Sequence, residues 1–157
     1  MDYPAKPQKP ENREIVSASL KLLAMRDMSR VQFVDKLTKK EFNTEDIREA
    51  VAWCEAEGWL NEARYAEVAA RRLGHKYGAS RVAATLRQKG VNDEAVASTI
   101  NAMKDSEFSR AKGVWMRKFE TLPDTADARA KQTRYLQSRG FSFAMIKRVL
   151  SGEVEES

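Results

Sequence analysis

The sequence predicts an all-α protein made of three tandem, helix-turn-helix-like repeats of three helices each. One pattern of six residues occurs three times without gaps, at offsets of 49 and 50 residues. Such a period is typical of a repeat architecture rather than of one mixed core. Apolar residues recur at helical spacing along the chain, and no segment of useful length shows the alternation that predicts a β-strand. Capping residues and glycines stand where helices of this length would begin and end.

The repeated pattern consists of the end of one helix, a tight turn and the start of the next helix. Its three copies are Leu37, Glu41, Phe42, Thr44, Ile47 and Val51; Leu86, Gly90, Val91, Asp93, Val96 and Ile100; and Leu136, Gly140, Phe141, Phe143, Ile146 and Leu150. Gly90 and Gly140 can adopt the left-handed conformation that ends a helix. The first copy has Glu41 at this position, so we expect its turn to close differently. The three leucines are expected to be equivalent core residues.

The first repeat begins with a helix whose apolar residues are spaced by 3, 4 and 3 positions, namely Ile15, Ala18, Leu22 and Met25. We expect these four side chains to form its buried face. Ser29 and Asn43 are good N-caps for the second and third helices. Gly58 is expected to end the third helix.

The second and third repeats follow the same plan. Their second helices are expected after breaks at residues 76–80 and 121–124, and their third helices after Gly90 and Gly140. Three helices of about ten to fifteen residues enclose only a small core, so each repeat would be marginally stable alone. Neighbouring repeats must therefore pack on each other, which predicts an elongated, curved monomer that presents one long surface.

These elements divide the chain into five predicted segments. Residues 1–11 form a disordered lead, residues 12–60 the first repeat, residues 61–104 the second and residues 105–152 the third, before an acidic tail at residues 153–157.

The net charge of +5 is unevenly distributed over these segments. Residues 1–60 carry a net charge of −1, residues 61–104 carry +4, residues 105–152 carry +5 and residues 153–157 carry −3. The positive field therefore belongs to the second and third repeats, which suits contact with an anionic partner.

Nothing in the sequence predicts catalysis, a metal site or a cofactor. His75 is the only histidine and follows Gly74, as in a solvent-exposed loop. No His or Cys cluster has metal-ligand spacing, and the seven glycines are isolated. The lone Cys54 lies at an apolar helix position, where a buried structural thiol is expected. With no run of 18 apolar residues and no signal peptide, we expect a cytoplasmic protein that does not enter membranes.

The basic residues of the second and third repeats are the remaining functional signal. They could bind phosphates directly, or an acidic protein surface through charge complementarity. A helix-turn-helix DNA reader is the weaker interpretation, because no series of Asn, Gln or Arg is placed like a base-reading face. Candidates for partner or DNA binding, chosen by charge alone, are Arg64, Arg71, Arg72, Lys76, Arg81, Arg87, Lys89, Arg117, Lys118, Arg134, Arg139 and Arg148.

Several local motifs, taken together, resemble one known family. They are Arg26-Asp27-Met28-Ser29 followed by Leu37; Gly58-Trp59-Leu60-Asn61 followed by Arg64-Tyr65-Ala66; Lys76-Tyr77-Gly78 with Arg81-Val82, Leu86 and Lys89-Gly90-Val91; and Arg134, Leu136, Arg139-Gly140-Phe141 and Ile146. The family is RecX, the bacterial modulator of the RecA recombinase. Asn61-Glu62 stands where the family more commonly has Asp-Asp.

This resemblance implies a function as well as a fold. Members of the family bind along the groove of RecA–DNA filaments and down-regulate strand exchange and co-protease activity, so an inhibitor of RecA in recombination, DNA repair and the SOS response is expected. The family has no catalytic residues to transfer. Single- or double-stranded DNA is a further candidate partner. A stand-alone nucleic-acid-binding protein and a protein-only scaffold are the alternatives left open.

Overall fold

The computed structural model describes residues 5–155, so the ends of the predicted lead and tail, residues 1–4 and 156–157, lie outside the described residues. The described part contains nine α-helices, one short 3-10 helix at Lys104–Ser106 and no β-strand. The helices are α1 (Arg13–Met25), α2 (Arg30–Lys39), α3 (Thr44–Ala56), α4 (Glu62–Leu73), α5 (Ala79–Gln88), α6 (Asp93–Met103), α7 (Glu107–Lys118), α8 (Ala126–Ser138) and α9 (Phe143–Leu150). The prediction of three tandem groups of three helices is confirmed. None of the helices in the described residues is long and apolar enough to cross a membrane.

Local capping explains where several of these helices begin. Ser29 accepts a hydrogen bond from the backbone N–H of Gln32, whose side chain accepts one from the backbone N–H of Ser29, so the two residues form a capping box. Asn12, Asn43, Thr125 and Ser142 cap their helices through one side-chain oxygen each. Residues 5–11 contain no helix, but Pro10 is buried and Lys6 lies 2.9 Å from Glu57.

The repeat alignment correctly identifies the core. Leu37, Leu86 and Leu136 are all fully buried. The fifth position of the repeated pattern is buried too, since Ile47 is 5% exposed and Val96 only 1%. Each leucine is therefore the central side chain of its own three-helix group.

The expectation that the Glu41 turn closes differently is wrong. Glu41 has a φ of +69°, in the same left-handed region as Gly90 at +85° and Gly140 at +92°. The backbone hydrogen bonds also correspond, because Phe42 N–H donates to the Leu37 carbonyl as Phe141 N–H donates to the Leu136 carbonyl. Glutamate is tolerated because its side chain is exposed, whereas Gly90 and Gly140 lie against other residues.

The prediction for α1 holds for Ile15 and for Ala18 and Leu22, which pack partly buried against the first core, but it is wrong at the end of the helix. Ile15 and Val16 are buried, whereas Met25 is 82% exposed. Met25 is the last residue of the helix, and the chain leaves in an extended conformation at Arg26, with φ of −170°. The helix therefore ends before its last apolar side chain reaches the core. The sequence analysis also missed Phe33, which is fully buried in the core of the first group.

The chain divides into two compact units, and the second repeat contributes to both. One unit runs up to Ala66 and includes Lys89–Asn92, and the other consists of Glu67–Gln88 and the chain from Asp93 onwards. In the first unit, the Ser29 hydroxyl donates to the Lys89 carbonyl over 2.7 Å. The carboxylate of Glu62 accepts the backbone N–H groups of Arg30 and Asn92. These bonds tie the turn at residues 89–92 to the first repeat.

Candidate functional site

The candidate site lies in the second unit, where two glycine turns meet. Gly78 N–H donates to the Arg139 carbonyl over 2.7 Å, and Arg81 donates through Nη1 to the Ser138 carbonyl over 2.9 Å. A Cβ added to Gly140 would lie 2.5 Å from the Cβ of Arg81, which is closer than real Cβ contacts come. The missing side chains of Gly78 and Gly140 therefore allow the start of α5 to touch the turn between α8 and α9.

This close approach brings cations and aromatic rings of the two repeats together. The Arg81 guanidinium lies 4.1 Å from the centre of the Tyr77 ring, and that of Arg139 lies 5.7 Å from it. Arg139 is also 5.1 Å from the Tyr135 ring, which has the Lys118 ammonium at 5.5 Å. These five side chains form one continuous surface, which we call the arginine–tyrosine surface. Its distances are those of favourable cation–π contacts.

Buried bonds hold this surface in place. Arg110 is half-buried on α7 and donates through Nη1 to the carbonyls of Tyr77 and Gly74, over 2.9 and 3.2 Å. Its burial lowers the pKa of the guanidinium, although arginine remains charged at any physiological pH. On the other side, Phe119 packs edge-on against Tyr135, with ring centres 5.5 Å apart. The backbone at Tyr77 and the ring of Tyr135 are thus fixed before any partner binds.

The charges of the arginine–tyrosine surface are free for an external anion. Among the described residues, no carboxylate pairs with Arg81, Lys118 or Arg139. The Nε of Arg139 is buried and Arg81 Nη1 donates to Ser138, so an external anion would meet the other guanidinium nitrogens. A guanidinium offers five donors in a planar fork that matches phosphate and carboxylate oxygens. Tyrosine rings can in addition stack on nucleobases, which all have a π face. The surface therefore combines cations with two partly exposed tyrosine rings, over which Arg81, Lys118 and Arg139 lie.

Four other predicted cations are exposed and have no ion-pair partner among residues 5–155: Arg72, Lys76, Lys89 and Arg134. Lys76 and Arg134 directly precede Tyr77 and Tyr135 in the chain, so their backbone adjoins the arginine–tyrosine surface.

The remaining five predicted cations interact within the protein. Arg64 makes a two-pronged contact with Asp27 at 2.7–3.0 Å, and this hydrogen bonding raises the pKa of its guanidinium. Arg71 pairs with Glu67, and Arg87 pairs with Asp93. Arg117 donates to the His75 carbonyl, and Arg148 contacts both Glu153 and the Phe108 ring. The Arg87 pair is 4.0 Å apart and its Asp93 is almost fully exposed, so it contributes little.

The sequence analysis missed the tyrosines of this surface because it selected residues by charge. A usable signal was present. Tyr77 and Arg81 are four residues apart, and so are Tyr135 and Arg139. A ring and a cation at this spacing can stack along a helix, as Tyr135 and Arg139 do at the end of α8, whereas Tyr77 lies two residues before α5. No helix-period analysis of either repeat alone would show that Arg139 also reaches the Tyr77 ring.

The residues considered in the sequence analysis for metal binding and catalysis lie apart from this surface. No three His, Cys, Asp or Glu side chains within residues 5–155 are arranged to hold a metal ion. His75 is exposed, and its carbonyl accepts from Arg117. Cys54 is buried in the first core, and burial raises the pKa of its thiol to about 11.

Comparison with known proteins gives one consistent family. Residues 61–100 match the family model described as RecX, second three-helix domain, and residues 105–150 match RecX, third three-helix domain. The chain is 33% identical to the regulatory protein RecX of Ralstonia nicotianae over 134 residues, which are 85% of this chain and 84% of that protein. It is 35% identical to the regulatory protein RecX of Vibrio vulnificus over 137 residues, 86% of this chain and 90% of that protein.

Solved structures show the same fold. The crystal structure of RecX from Lactobacillus salivarius superposes with a TM-score of 0.78 at 19% identity, covering 87% of this chain and 92% of that one. A second crystal structure, of a regulatory protein RecX, superposes with a TM-score of 0.74 at 18% identity and covers 86% of this chain and 70% of that one.

Proposed function

The chain belongs to the RecX family of regulatory proteins, and from this premise we propose that it inhibits the RecA recombinase by binding along RecA–DNA filaments. Binding would lower strand exchange and co-protease activity in the cytoplasm without any chemical step. The observation that carries the proposal is the arginine–tyrosine surface. On it Arg81, Lys118 and Arg139 lie beside two tyrosine rings, and no carboxylate within residues 5–155 pairs with them.

The physical basis is electrostatic. Cations that meet DNA phosphates release condensed counterions, so binding is strong at low salt and weakens as salt rises. The Arg81 side chain is held by its bond to the Ser138 carbonyl, so less side-chain entropy is lost on binding than for a free arginine. The guanidinium groups could also donate hydrogen bonds to acidic side chains of the filament protein.

The test replaces free cations without disturbing the fold. Lys76, Lys118 and Arg134 are exposed, so their combined replacement by Glu should leave the helical content unchanged. The matched control replaces Lys21 on α1, Lys36 on α2 and Lys40 directly after α2, which are all exposed, and changes the net charge by the same amount. Each protein is titrated into RecA strand-exchange and ATPase assays, and its binding to RecA-coated and bare DNA is measured over a range of salt.

We expect the triple variant of Lys118 and its neighbours Lys76 and Arg134 to bind RecA–DNA filaments at least tenfold more weakly, and the control to behave like the wild type. If the three cations contact phosphates, the slope of log affinity against log salt falls by about 2 to 3. Inhibition by the triple variant at the wild-type concentration would contradict the proposal.

Two further outcomes identify the alternatives. Equal affinity of the wild type for bare and RecA-coated DNA would favour a stand-alone nucleic-acid-binding protein. Binding that does not depend on DNA at all would favour a protein-only scaffold.

A further inference from the structure

Two shallow apolar grooves occur at the same place in the first and second repeats. Groove A, of about 380 Å³, lies between α2 and α3 in the first unit, and groove B, of about 370 Å³, lies between α5 and α6 in the second. Seven of the residues lining groove A have their counterpart in groove B 49 positions later. The floors correspond as Val34 to Ala83, Ile47 to Val96, and Val51 to Ile100. The repeated backbone thus produces a repeated groove.

The rims of the two grooves carry different charges. In groove A, the Arg30 guanidinium contacts both oxygens of Glu55, at 2.6 and 2.8 Å, and Arg48 lies 3.3 Å from Glu45. The cations of groove A are therefore neutralised within the first repeat.

Groove B has lost that neutralising acid. The counterpart of Glu55 is Lys104, and the counterparts of Arg30 and Arg48 are the alanines Ala79 and Ala97. Among the described residues that line groove B there is no carboxylate. Two cations, Arg87 and Lys104, remain, of which Arg87 has only the distant, exposed Asp93 as a partner.

Groove B is open at Ile100, because the rim beside it carries only the short side chain of Ala97. Ala97 is exposed and Ile100 is partly exposed, whereas Val96 beneath them is 1% exposed. An apolar side chain entering here would cover Ile100, and its neighbours would lie beside the two cations. Grooves between two helices commonly receive an amphipathic helix in this way.

We propose that groove B is a protein-docking site, which receives an amphipathic segment whose apolar side chain is flanked by carboxylates. The proposal rests on the proposed function in one respect, namely that the segment belongs to the protein component of the filament. The surface it concerns is groove B and not the arginine–tyrosine surface, because DNA phosphates have no apolar group to cover the floor of groove B. The occupant is thus separated from the phosphates that the arginine–tyrosine surface would bind.

The first repeat supplies the substitutions for the test. Ala97→Arg and Lys104→Glu each introduce into groove B the type of residue that groove A carries at the equivalent position, so both variants should fold. Ala97→Arg fills the groove, and Lys104→Glu reverses half of its charge. Arg48→Ala, the reciprocal change in groove A, is the control.

We expect Ala97→Arg and Lys104→Glu to bind RecA-coated DNA at least tenfold more weakly than the wild type. Ala97→Arg should bind bare single-stranded DNA within twofold of the wild type, and Arg48→Ala should match the wild type in both assays. Undiminished filament binding by Ala97→Arg overturns the proposal, and so does an equal loss on bare DNA.

A second probe does not depend on RecA. It is a fluorescein-labelled 14-residue peptide, designed as a helix with leucines on one face and glutamates beside them, compared with its twin in which lysines replace the glutamates. Anisotropy should show the acidic peptide binding the wild type more tightly than it binds Ala97→Arg, and more tightly than the basic peptide binds the wild type. If the two peptides bind alike, groove B has no such specificity. If the acidic peptide binds as expected but RecA filaments do not, the docking site stands and the proposed function fails.

Discussion

Replacing Gly140 by alanine tests the reason why two repeats have glycine where the first has glutamate. The residue has a φ of +92°, and an added Cβ would lie 2.5 Å from the Arg81 Cβ and 2.8 Å from its backbone nitrogen. A Cβ added to Gly90 would likewise lie 2.5 Å from the Cβ of Val31. Glu41 has the same left-handed conformation but an exposed side chain. We therefore attribute the requirement for glycine mainly to close packing and only partly to conformation.

The structure allows the two contributions to be separated. A left-handed conformation costs an alanine about 1–2 kcal/mol, and forcing a methyl group into a packed contact costs about 1–3 kcal/mol. Gly140→Ala should thus lower the free energy of unfolding by about 2–5 kcal/mol. Gly58 has a φ of +80° and no atom within 4 Å of its added Cβ, so Gly58→Ala should show only the conformational cost. Glu41→Gly should stabilise the protein by about 0.5–1 kcal/mol, because relieved strain exceeds the added chain entropy.

Urea unfolding followed by circular dichroism at 222 nm measures all three changes by linear extrapolation. The expected order of unfolding free energies is Glu41→Gly above the wild type, then Gly58→Ala, then Gly140→Ala. If Gly140→Ala costs no more than Gly58→Ala, close approach is not the reason for the glycine. If Glu41→Gly destabilises the protein, the left-handed conformation at Glu41 carries no strain.

Two further predictions concern the cores. Buried Gln132 accepts a hydrogen bond from the Trp115 indole N–H over 2.7 Å, so Gln132→Leu should lower the free energy of unfolding by about 1–3 kcal/mol, the cost of an unpaired buried donor. A double-mutant cycle in urea checks this, since Trp115→Phe should cost less in the Gln132→Leu protein than in the wild type. The buried Cys54 thiol, with its pKa raised to about 11, should react with Ellman's reagent at pH 8 far more slowly in the native protein than in urea. The pKa of the Cys54 thiol in the folded protein lies above the ordinary value of 9.0. Its contribution to the free energy of unfolding is therefore fully present below pH 9 and is lost as the pH rises through about 11. Equal reaction rates in the folded and unfolded protein would show that Cys54 is accessible.

The sequence alone was sufficient for the elements that depend on neighbouring residues. Ser29, Asn43 and the left-handed turns at Gly58, Gly90 and Gly140 were recognisable because capping and helix termination are local. The core leucines were recognisable because three copies of one pattern reinforce each other. At Glu41 the pattern also predicted the position of the turn correctly. Only the expectation that a glutamate closes the turn differently from a glycine was wrong.

The partners of charged and aromatic side chains depended on the tertiary structure. Arg64 and Arg139 are both arginines close to a glycine turn, yet the first binds Asp27 and the second lies over two tyrosine rings. Asp27 is 37 residues from Arg64, and Tyr77 is more than 60 residues from Arg139, so no local pattern records either contact. Periodicity determines which residues face a core, because that depends on helix geometry alone. Which cations remain free for a partner is decided by the contacts between helices that are distant in the chain.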